Sequence, residues 1–467
     1  MPMTSSKVKM PIVIVGAGMA GLAAAHHLKA RGRQAFILEA ADRVGGRMTS
    51  DTVGGHVVDR GAQFLSTEYR LIPEMLRDLD LAHDICEASQ CSAIVRDGKP
   101  LLLRAGHALD LIRFLGFPSA LNFAWKMLNL KQRTKTLSLS DYSQWAEFDI
   151  ESTSAWCNRE LGASITEYVY EPVLQGFYFQ SPEEASGALM AALSTFGMRR
   201  AKTLSLNAGL GQLPEALAKN LDVRLGTPVL SIECANDGVL VHTVRETLEA
   251  QRVIAAVPAV VAQKLIAYPL NDEMRALLST PYSASINVAC VTDAMFGLPK
   301  NLSNVYGLLI PRKERTCAAA VGIESNKRNT YGALGNQLNI MLSHEAAVDL
   351  MNAPDVDILE SAVRSVCGYF PNLAAHITQS RVYRWPAAEP RSSVGRASML
   401  RTYRQKSSKE KPRIILAGDY MSMPFTEGAV ESGYWAANLV GQASNPSFHR
   451  TCYSGPRPLP HAGELKR

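Results

Sequence analysis

Residues 10–21 read MPIVIVGAGMAG, and this stretch decides the fold. Ile12–Val15 is an unbroken β-branched run, which is typical of a buried parallel strand. Gly16 permits a tight turn, Gly18 lets the backbone approach a pyrophosphate, and Gly21 lets the following helix pack against the strand. The order of strand, glycine turn and alanine-rich helix therefore predicts a nucleotide-binding βαβ unit.

The next segment indicates the kind of nucleotide. A second strand is predicted over residues 34–38, and it ends at Glu39 and Ala40. The Glu39 carboxylate is placed to accept a hydrogen bond from a ribose 2′-hydroxyl, which favours FAD or NAD over NADP. The phosphates are expected beside Met19 and Ala20, because the free N–H groups at a helix N-terminus attract anions.

The continuation separates FAD from NAD. Residues 42–47 read DRVGGR, in which Gly45 and Gly46 leave space beside a pyrophosphate and Arg47 carries forked donors that can clamp a phosphate. With the glycine turn, this segment resembles the flavin-containing amine oxidase superfamily, which includes monoamine and polyamine oxidases, protoporphyrinogen oxidases and carotenoid-type desaturases. The resemblance implies an α/β chain with a glutathione-reductase-like, Rossmann-type FAD-binding domain and a mixed α+β substrate domain.

Later segments match the same family. Residues 61–64 (GAQF) occupy the loop that the family passes beside the isoalloxazine ring. Towards the end of the chain a buried strand, a Gly-Asp pair and a helix start follow one another, and the resemblance implies that this helix N-terminus stabilises the reduced ring. The cofactor residues implied by these segments are Gly61, Ala62, Gln63, Phe64, Val229, Gly418, Asp419, Glu427, Gly428 and Ala429.

Some positions depart from the amine oxidases. Asn287 stands where most of them carry a lysine linked through water to flavin N5, and an amide offers hydrogen bonds but no charge. The positions of a flavin-linked cysteine and an adjacent cage tyrosine fall on Val394 and Gly395, so FAD is expected to be bound non-covalently. Phe425 lies at the second cage position. Gln63, Asn287 and Phe425 are the candidates for contact with the ring or the substrate.

Two further segments concern the substrate domain. Residues 170–193 resemble the part of protoporphyrinogen oxidase-type proteins that crosses the substrate chamber, so Phe177 and Tyr178 are candidates to stack on a flat substrate, unless they are ordinary core. Trp385 is a third substrate candidate. Residues 106–133 predict two apolar helices broken at Gly116, with basic residues interspersed. A cap over the substrate cavity is the favoured interpretation, and a membrane-facing surface is the alternative.

Composition narrows the class of protein. The chain has 467 residues, of which 47% are hydrophobic and 20% charged, which fits a globular protein of two domains. The net charge of +6 gives no reason to expect nucleic acid as a partner. The eight cysteines include no C-x-x-C pair, so no metal site is predicted. Without an apolar signal region or membrane span, a cytoplasmic location is expected, with peripheral membrane contact as an alternative.

The resemblance implies an FAD domain assembled from residues 1–85, 205–285 and 382–445, a substrate domain over residues 86–204 and 286–381, and a loosely ordered tail over residues 446–467. The expected reaction is hydride transfer from a C–H bond of a small cyclic or conjugated substrate to flavin N5, forming a C=C or C=N bond, with oxygen or another electron acceptor reoxidising the flavin. Asn287 favours a protoporphyrinogen oxidase-like enzyme. An amine or cyclic-imine oxidase that releases hydrogen peroxide and a non-catalytic FAD-bound scaffold are the alternatives. The substrate and the oligomeric state stay open.

Overall fold

The computed structural model describes residues 11–104, 107–267, 270–328 and 335–441. The strands in these residues are β1 Ile12–Val15, β2 Ala35–Leu38, β3 Ser50–Val53, β4 His56–Asp59, β5 Leu65–Ser66, β6 Ile85–Glu87, β7 Cys91–Arg96, β8 Lys99–Arg104, β9 Thr203–Leu206, β10 Asp222–Arg224, β11 Val229–Cys234, β12 Val239–Thr243, β13 Thr247–Ala250, β14 Arg252–Ala255, β15 Tyr282–Thr292, β16 Gly307–Leu309, β17 Ala318–Ile323, β18 Gln337–Leu342, β19 Ile377–Pro390 and β20 Ile414–Leu416.

The α-helices in the same residues are α1 Met19–Ala30, α2 Leu71–Asp78, α3 Ala108–Leu115, α4 Phe117–Thr134, α5 Thr153–Glu160, α6 Ala163–Ile165, α7 Glu171–Tyr178, α8 Gly187–Met198, α9 Gln212–Lys219, α10 Ala259–Leu265, α11 Asp272–Leu278, α12 His344–Leu350, α13 Asp355–Val366, α14 Leu373–His376, α15 Arg396–Glu410 and α16 Thr426–Gly441. A π-helical turn, Thr166–Tyr170, joins α6 to α7. The chain divides into two compact units.

The first unit takes its described residues from Met1–Gly46, Leu213–Thr280 and Leu400–Ser454. Its central sheet is parallel, with the strand order β10–β2–β1–β14–β20. β1 is buried along its whole length and pairs in parallel with β2. Since α1 connects the two strands along the chain, the βαβ unit expected from residues 10–39 is confirmed. α1 and α16 cross closely: a Cβ on Gly433 would lie 2.2 Å from Ala20 O. The antiparallel meander β11–β12–β13 completes this unit.

The second unit takes its described residues from Arg47–Gln212 and Pro281–Met399. Its main sheet has the order β19–β15–β18–β17–β16–β7–β8 and is mixed, because only the β16–β7 pair among these neighbours is parallel. β15 lies between β19 and β18 and is buried from Ser283 onwards. Apolar side chains of β15, β17, β18 and α13 form the core of this unit. The sheet therefore holds Asn287, on β15, inside the unit.

The boundaries of the two units differ from the domains expected from sequence. Residues 47–85, 205–212, 281–285 and 382–399, which the sequence places in an FAD domain, belong to the second compact unit. The β3–β4 hairpin explains part of this difference, because Tyr383 Oη on β19 donates to Asp51 Oδ2 at 3.1 Å. Compactness does not test which residues bind cofactor, so the functional division stays a prediction. The predicted tail, residues 446–467, lies outside the described residues.

The helices expected over residues 106–133 are confirmed as α3 and α4, separated by Gly116 at φ +81°. The cap interpretation accounts for one face of α4, where Ala120, Met127 and Leu130 are buried. A second apolar face of the same helix is exposed, at Phe117, Leu121, Trp125 and Leu128. Among the described helices, none has the length and apolar character that a membrane crossing requires.

Candidate functional site

The glycine turn after β1 combines close packing with open space. Gly16 has φ +101°, and a Cβ on it would lie 2.7 Å from Ala256 O. A Cβ on Gly21 would lie 2.0 Å from Gly16 O, so a side chain there would push α1 away from the turn. Gly18, the N-cap of α1, has no neighbouring atom within 4 Å of its Cβ position. Space for a ligand group is therefore left at Gly18, where the first N–H groups of α1 begin.

Glu39 directly follows β2, and its carboxylate accepts hydrogen bonds from the glycine turn and from the residues after it. Its Oε2 accepts from Ala17 N at 2.7 Å and its Oε1 accepts from Ala41 N at 2.9 Å. A carboxylate has about four acceptor positions, so these two bonds leave lone pairs for a ribose hydroxyl. Ala40, beside it, is exposed. Glu39 thus shapes the turn in addition to the ribose role that the sequence predicts for it.

Gly45 and Gly46 pack against the glycine turn at Gly18. Gly45 forms a parallel β-bridge with Gly18, and a Cβ on Gly46 would lie 3.5 Å from Gly18 Cα. Arg47 begins the second unit, and there its guanidinium donates to Ala388 O at 2.6 Å. The phosphate contact expected of Arg47 stays a prediction.

The turn from β20 into α16 is the other segment of the first unit that the resemblance places at the cofactor. Gly418 has φ +142°, and its N–H donates to Ser432 Oγ at 2.9 Å. Asp419 is buried, and its Oδ1 accepts from Tyr420 N at 3.0 Å. Because Ser432 lies on α16, the Gly-Asp turn is attached directly to the helix whose N-terminus the resemblance places at the flavin.

The start of α16 is packed tightly. A Cβ on Gly428 would lie 2.0 Å from Met423 O, and Glu427 is 1% exposed. Ala429 N donates to Phe425 O at 3.0 Å, and Phe425 itself is half-buried. Val229, a predicted cofactor residue, starts β11 beside a bulge in the β11–β12 pairing. The structure thus gives the predicted cofactor residues of the first unit a definite backbone setting.

In the second unit, the loop over residues 61–64 follows β4. Ala62 N donates to Arg47 O at 2.9 Å. The indole Nε1 of Trp385, a predicted substrate residue, donates to Arg60 O at 2.9 Å, directly before the loop. Trp385 therefore helps to position the loop, whatever its contact with substrate.

Gln63 uses its side chain to hold this loop. Its Nε2 donates to Asp59 O at 3.0 Å and to Gly61 O at 2.9 Å, and its Oε1 accepts from Asn339 Nδ2 at 3.0 Å. Its backbone carbonyl accepts from Tyr306 Oη at 3.3 Å. The contact with the ring or the substrate that the sequence predicts for Gln63 stays a prediction.

Asn287 turns its amide towards the same strand end. Its Nδ2 donates to Asp59 O at 3.3 Å and to Arg60 O at 3.4 Å. The side chain is buried, and its Oδ1 has no hydrogen-bond partner in the described part of the chain. Since buried acceptors are normally paired, this oxygen is available to a water or a ligand.

Asp59 also anchors an ion cluster that the sequence did not reveal. Lys327 Nζ lies 2.7 Å from Asp59 Oδ2 and 3.0 Å from Glu324 Oε2, and Arg328 pairs with both carboxylates. All four side chains are completely buried. Burial raises the pKa of Asp59, but the attraction of Lys327 and Arg328 outweighs it and lowers the pKa to about 2. A Lys-Arg pair outside a regular element is ordinarily exposed, so only Asp59, two residues before the glycine loop, offered a signal.

The structure brings two predicted aromatic residues together. The rings of Phe64 and Phe177 meet edge to face, with centroids 5.4 Å apart and an interplanar angle of 73°. Phe177 is 37% exposed, whereas its neighbour Tyr178 is buried. The predicted substrate helix α7 is therefore in contact with the loop that the resemblance places beside the flavin.

Residues 19–441 match the family model described as flavin containing amine oxidoreductase. The chain belongs to this family. As a flavin-containing amine oxidoreductase it is a flavin-dependent oxidoreductase, and its cofactor is FAD.

The proteins to which this chain is similar carry the names of different oxidases. The chain is 26% identical over 259 residues to protoporphyrinogen oxidase 2 of Arabidopsis thaliana, a match that covers 47% of this chain and 50% of that protein, so it spans half of the relative's length. It is 25% identical to putrescine oxidase of Kocuria rosea, over 80% of this chain and 81% of the relative. The solved cyclohexylamine oxidase from Brevibacterium oxydans superposes with a TM-score of 0.72 at 16% identity, over 93% and 99% of the two chains, which shows a shared fold.

The first unit of this flavoprotein fits a dinucleotide. Gly18 leaves space at the N-terminus of α1, and the Glu39 carboxylate keeps acceptor positions for a ribose. Thr426 Oγ1, in the first turn of α16, is buried and has no hydrogen-bond partner among the described residues. Helix N-termini attract negative charge, so α1 and α16 would hold the phosphates and the electron-rich reduced ring respectively.

Proposed function

We propose that this flavoenzyme dehydrogenates a small cyclic or conjugated substrate, as a protoporphyrinogen oxidase-like enzyme, and forms a C=C or C=N bond. When bound, FAD supplies a hydride acceptor that oxygen or another electron acceptor regenerates. The observation that carries the proposal is Asn287, which places a neutral amide on β15 where the resemblance expects the amine oxidase lysine. That amide is committed through Nδ2 to Asp59 and Arg60, so it brings no positive charge to the site.

The side chains proposed for the substrate are also uncharged. The Phe64–Phe177 pair presents aromatic surface suited to a flat molecule. Burial raises the pKa of Tyr178 well above its usual value, so its phenol stays neutral. A role of these residues in orienting and desolvating a C–H bond requires no general base.

An amine or cyclic-imine oxidase that releases hydrogen peroxide is the second candidate. Support for it comes from the match to putrescine oxidase over most of both chains and from the aromatic residue Phe425 at the second cage position. The reoxidising partner in this case would be oxygen.

Anaerobic reduction of the bound flavin tests both candidates. Bleaching of the absorption band of the oxidised flavin would be followed with porphyrinogens, cyclic imines, cyclic amines and diamines. Reduction by porphyrinogens or other conjugated substrates supports the first proposal, and reduction by amines with peroxide formation in air selects the second. Reduction by none of these compounds would contradict both and favour a non-catalytic FAD-bound scaffold.

We further propose that the enzyme works in the cytoplasm and contacts an anionic membrane through α4. Phe117, Leu121, Trp125 and Leu128 recur at helical spacing and are 64, 62, 56 and 63% exposed. No acidic residue occurs in α4, and Lys131, Arg133 and Lys135 at its end are exposed. An apolar face with tryptophan and flanking cations suits a membrane interface. Free cysteines at the described positions are consistent with a reducing compartment.

Vesicle sedimentation tests the membrane contact. The protein should sediment with phosphatidylserine-containing vesicles at low salt and less with phosphatidylcholine alone. The double variant L121S/W125S should lose this binding, whereas Val356→Ser, at an exposed apolar site on α13, should retain it. Equal sedimentation of all three proteins, or none for the native chain, would refute the contact.

A further inference from the structure

An ion pair in the first unit connects the later part of α15 to α16. Arg404, on α15, binds the Glu431 carboxylate of α16 with two parallel hydrogen bonds: Nη1 donates to Oε1 at 2.8 Å, and Nη2 donates to Oε2 at 2.6 Å. The two side chains are only 9% and 17% exposed. A bidentate pair fixes the relative orientation of its members, so these two helix segments are held in one geometry.

The same two side chains also hold the turn between β20 and α16. Arg404 Nη2 donates to Met421 O at 2.9 Å, and Ser422 Oγ donates to Glu431 Oε2 at 2.7 Å. Met421 and Ser422 have no exposed surface. Because they follow Asp419 in one short turn, the position of Asp419, a predicted cofactor residue, depends on the ion pair.

The pair also determines the net charge close to the start of α16. Glu431 is the sixth residue of this helix, about 7.5 Å along the axis from the first. An unpaired carboxylate there would oppose the positive end of the helix dipole, and an unpaired guanidinium would reinforce it. Since the two charges balance, the pair adds none to a helix start that already contains the buried Glu427.

We propose that Arg404 and Glu431 are positioning residues for the flavin, and that their balanced charge sets its reduction potential. Neither residue needs to touch the ring, because both act through the turn and through the field at the start of α16. Loss of Arg404 leaves a buried negative charge, which disfavours the electron-rich reduced ring, and loss of Glu431 leaves a positive charge, which favours it. The effect depends on bound FAD, whichever substrate is dehydrogenated.

The reduction potential of bound FAD tests this assignment. It is measured on the full-length, FAD-loaded protein by anaerobic chemical reduction beside a reference dye, so no substrate is required. Arg404→Met should shift the potential to a more negative value. Glu431→Gln, which keeps the shape of the side chain, should shift it to a more positive value. The double variant R404M/E431Q removes both charges and should return close to the native potential, while Glu427 is the same in every protein.

Two further variants separate charge from position. Lys406→Met is the matched control, because Lys406 also lies on α15 and pairs with Glu273, but its side chain is 49% exposed. Solvent screens an exposed charge, so this variant should keep the native potential. Arg404→Lys keeps the charge and loses the forked geometry, so it should keep the potential and weaken FAD binding about tenfold.

The sign of the two shifts decides the outcome. Shifts of the same sign in Arg404→Met and Glu431→Gln, native potentials in both, or an equal shift in Lys406→Met would overturn the role of the balanced charge. Native FAD affinity in Arg404→Lys would overturn the positioning role. If Arg404→Met does not fold, the positive shift in Glu431→Gln and its cancellation in the double variant decide the question.

Discussion

Lys327 Nζ lies 2.7 Å from Asp59 Oδ2, and both side chains are completely buried. The same aspartate, through its backbone carbonyl, accepts from Gln63 Nε2 and Asn287 Nδ2. One strand end therefore joins an interior ion cluster to the two uncharged residues proposed to lie at the flavin. A substitution in the ion cluster should therefore shift Asp59, and through it the positions of Gln63 and Asn287.

Lys327→Met should strongly destabilise the second unit. It would leave Asp59 and Glu324 with Arg328 as their remaining cation, and removing one partner of a buried pair costs about 3–5 kcal/mol. Urea unfolding of the FAD-loaded protein measures the effect. Lys300→Met, at an exposed lysine of the same unit, should change stability by less than about 0.5 kcal/mol. Similar losses for the two variants would mean that the cluster contributes nothing specific.

The Asp59 pKa also predicts how stability depends on pH. Its pKa falls from an ordinary value of 3.8 to about 2 in the folded protein. A lowered pKa stabilises the folded state above pH 3.8, and this contribution, about 2 kcal/mol, disappears as the pH falls through 2. The stability difference between native protein and Asp59→Asn should therefore be constant near neutrality and shrink below about pH 4. A difference that grows on acidification would contradict this sign.

Two glycines of the first turn should respond differently to alanine. Gly18→Ala adds a methyl group to free space, so the FAD-free protein should keep its stability while FAD affinity falls by at least about tenfold. Gly21→Ala places a Cβ 2.0 Å from Gly16 O, so the FAD-free protein itself should lose stability. Thermal unfolding and FAD titration separate the two effects. Unchanged FAD affinity in Gly18→Ala would argue against a phosphate at that position.

Glu39→Ala should lower FAD occupancy and loosen the glycine turn. The substitution removes the acceptor of Ala17 N and Ala41 N together with the proposed ribose contact. Glu39→Gln keeps one carbonyl oxygen in place, so it should retain more of the turn than alanine does. The ratio of flavin absorbance to protein absorbance after purification gives the occupancy. Full occupancy in Glu39→Ala would exclude the ribose role.

Acid precipitation should leave a colourless pellet and a yellow supernatant. The resemblance places a flavin-linked cysteine and its neighbour at Val394 and Gly395, and neither residue has a thiol for a covalent bond. Flavin fluorescence of the two fractions provides the measurement. Colour that stays in the washed pellet would contradict non-covalent binding.

Several features followed directly from the sequence. Strand β1, its glycine turn and α1 were predictable because a β-branched run favours a strand, Gly16 allows a turn at positive φ, and an alanine-rich segment favours a helix. The same holds for the helix break at Gly116. The resemblance to the family could be recognised from such local motifs, because residue types and their spacing can be read from the sequence.

The roles of individual side chains depended on packing. Asp59 and Lys327 are 268 positions apart, and no local pattern indicates that they meet in the interior. The contact of Gln63 with the ring stays a prediction, and only the folded chain shows that its amide holds its own loop. The sequence by itself determined the nucleotide-binding backbone, because backbone preferences act over a few residues. Tertiary structure alone decided which charges are buried and which polar atoms stay unpaired, because both depend on segments that meet only when the chain folds.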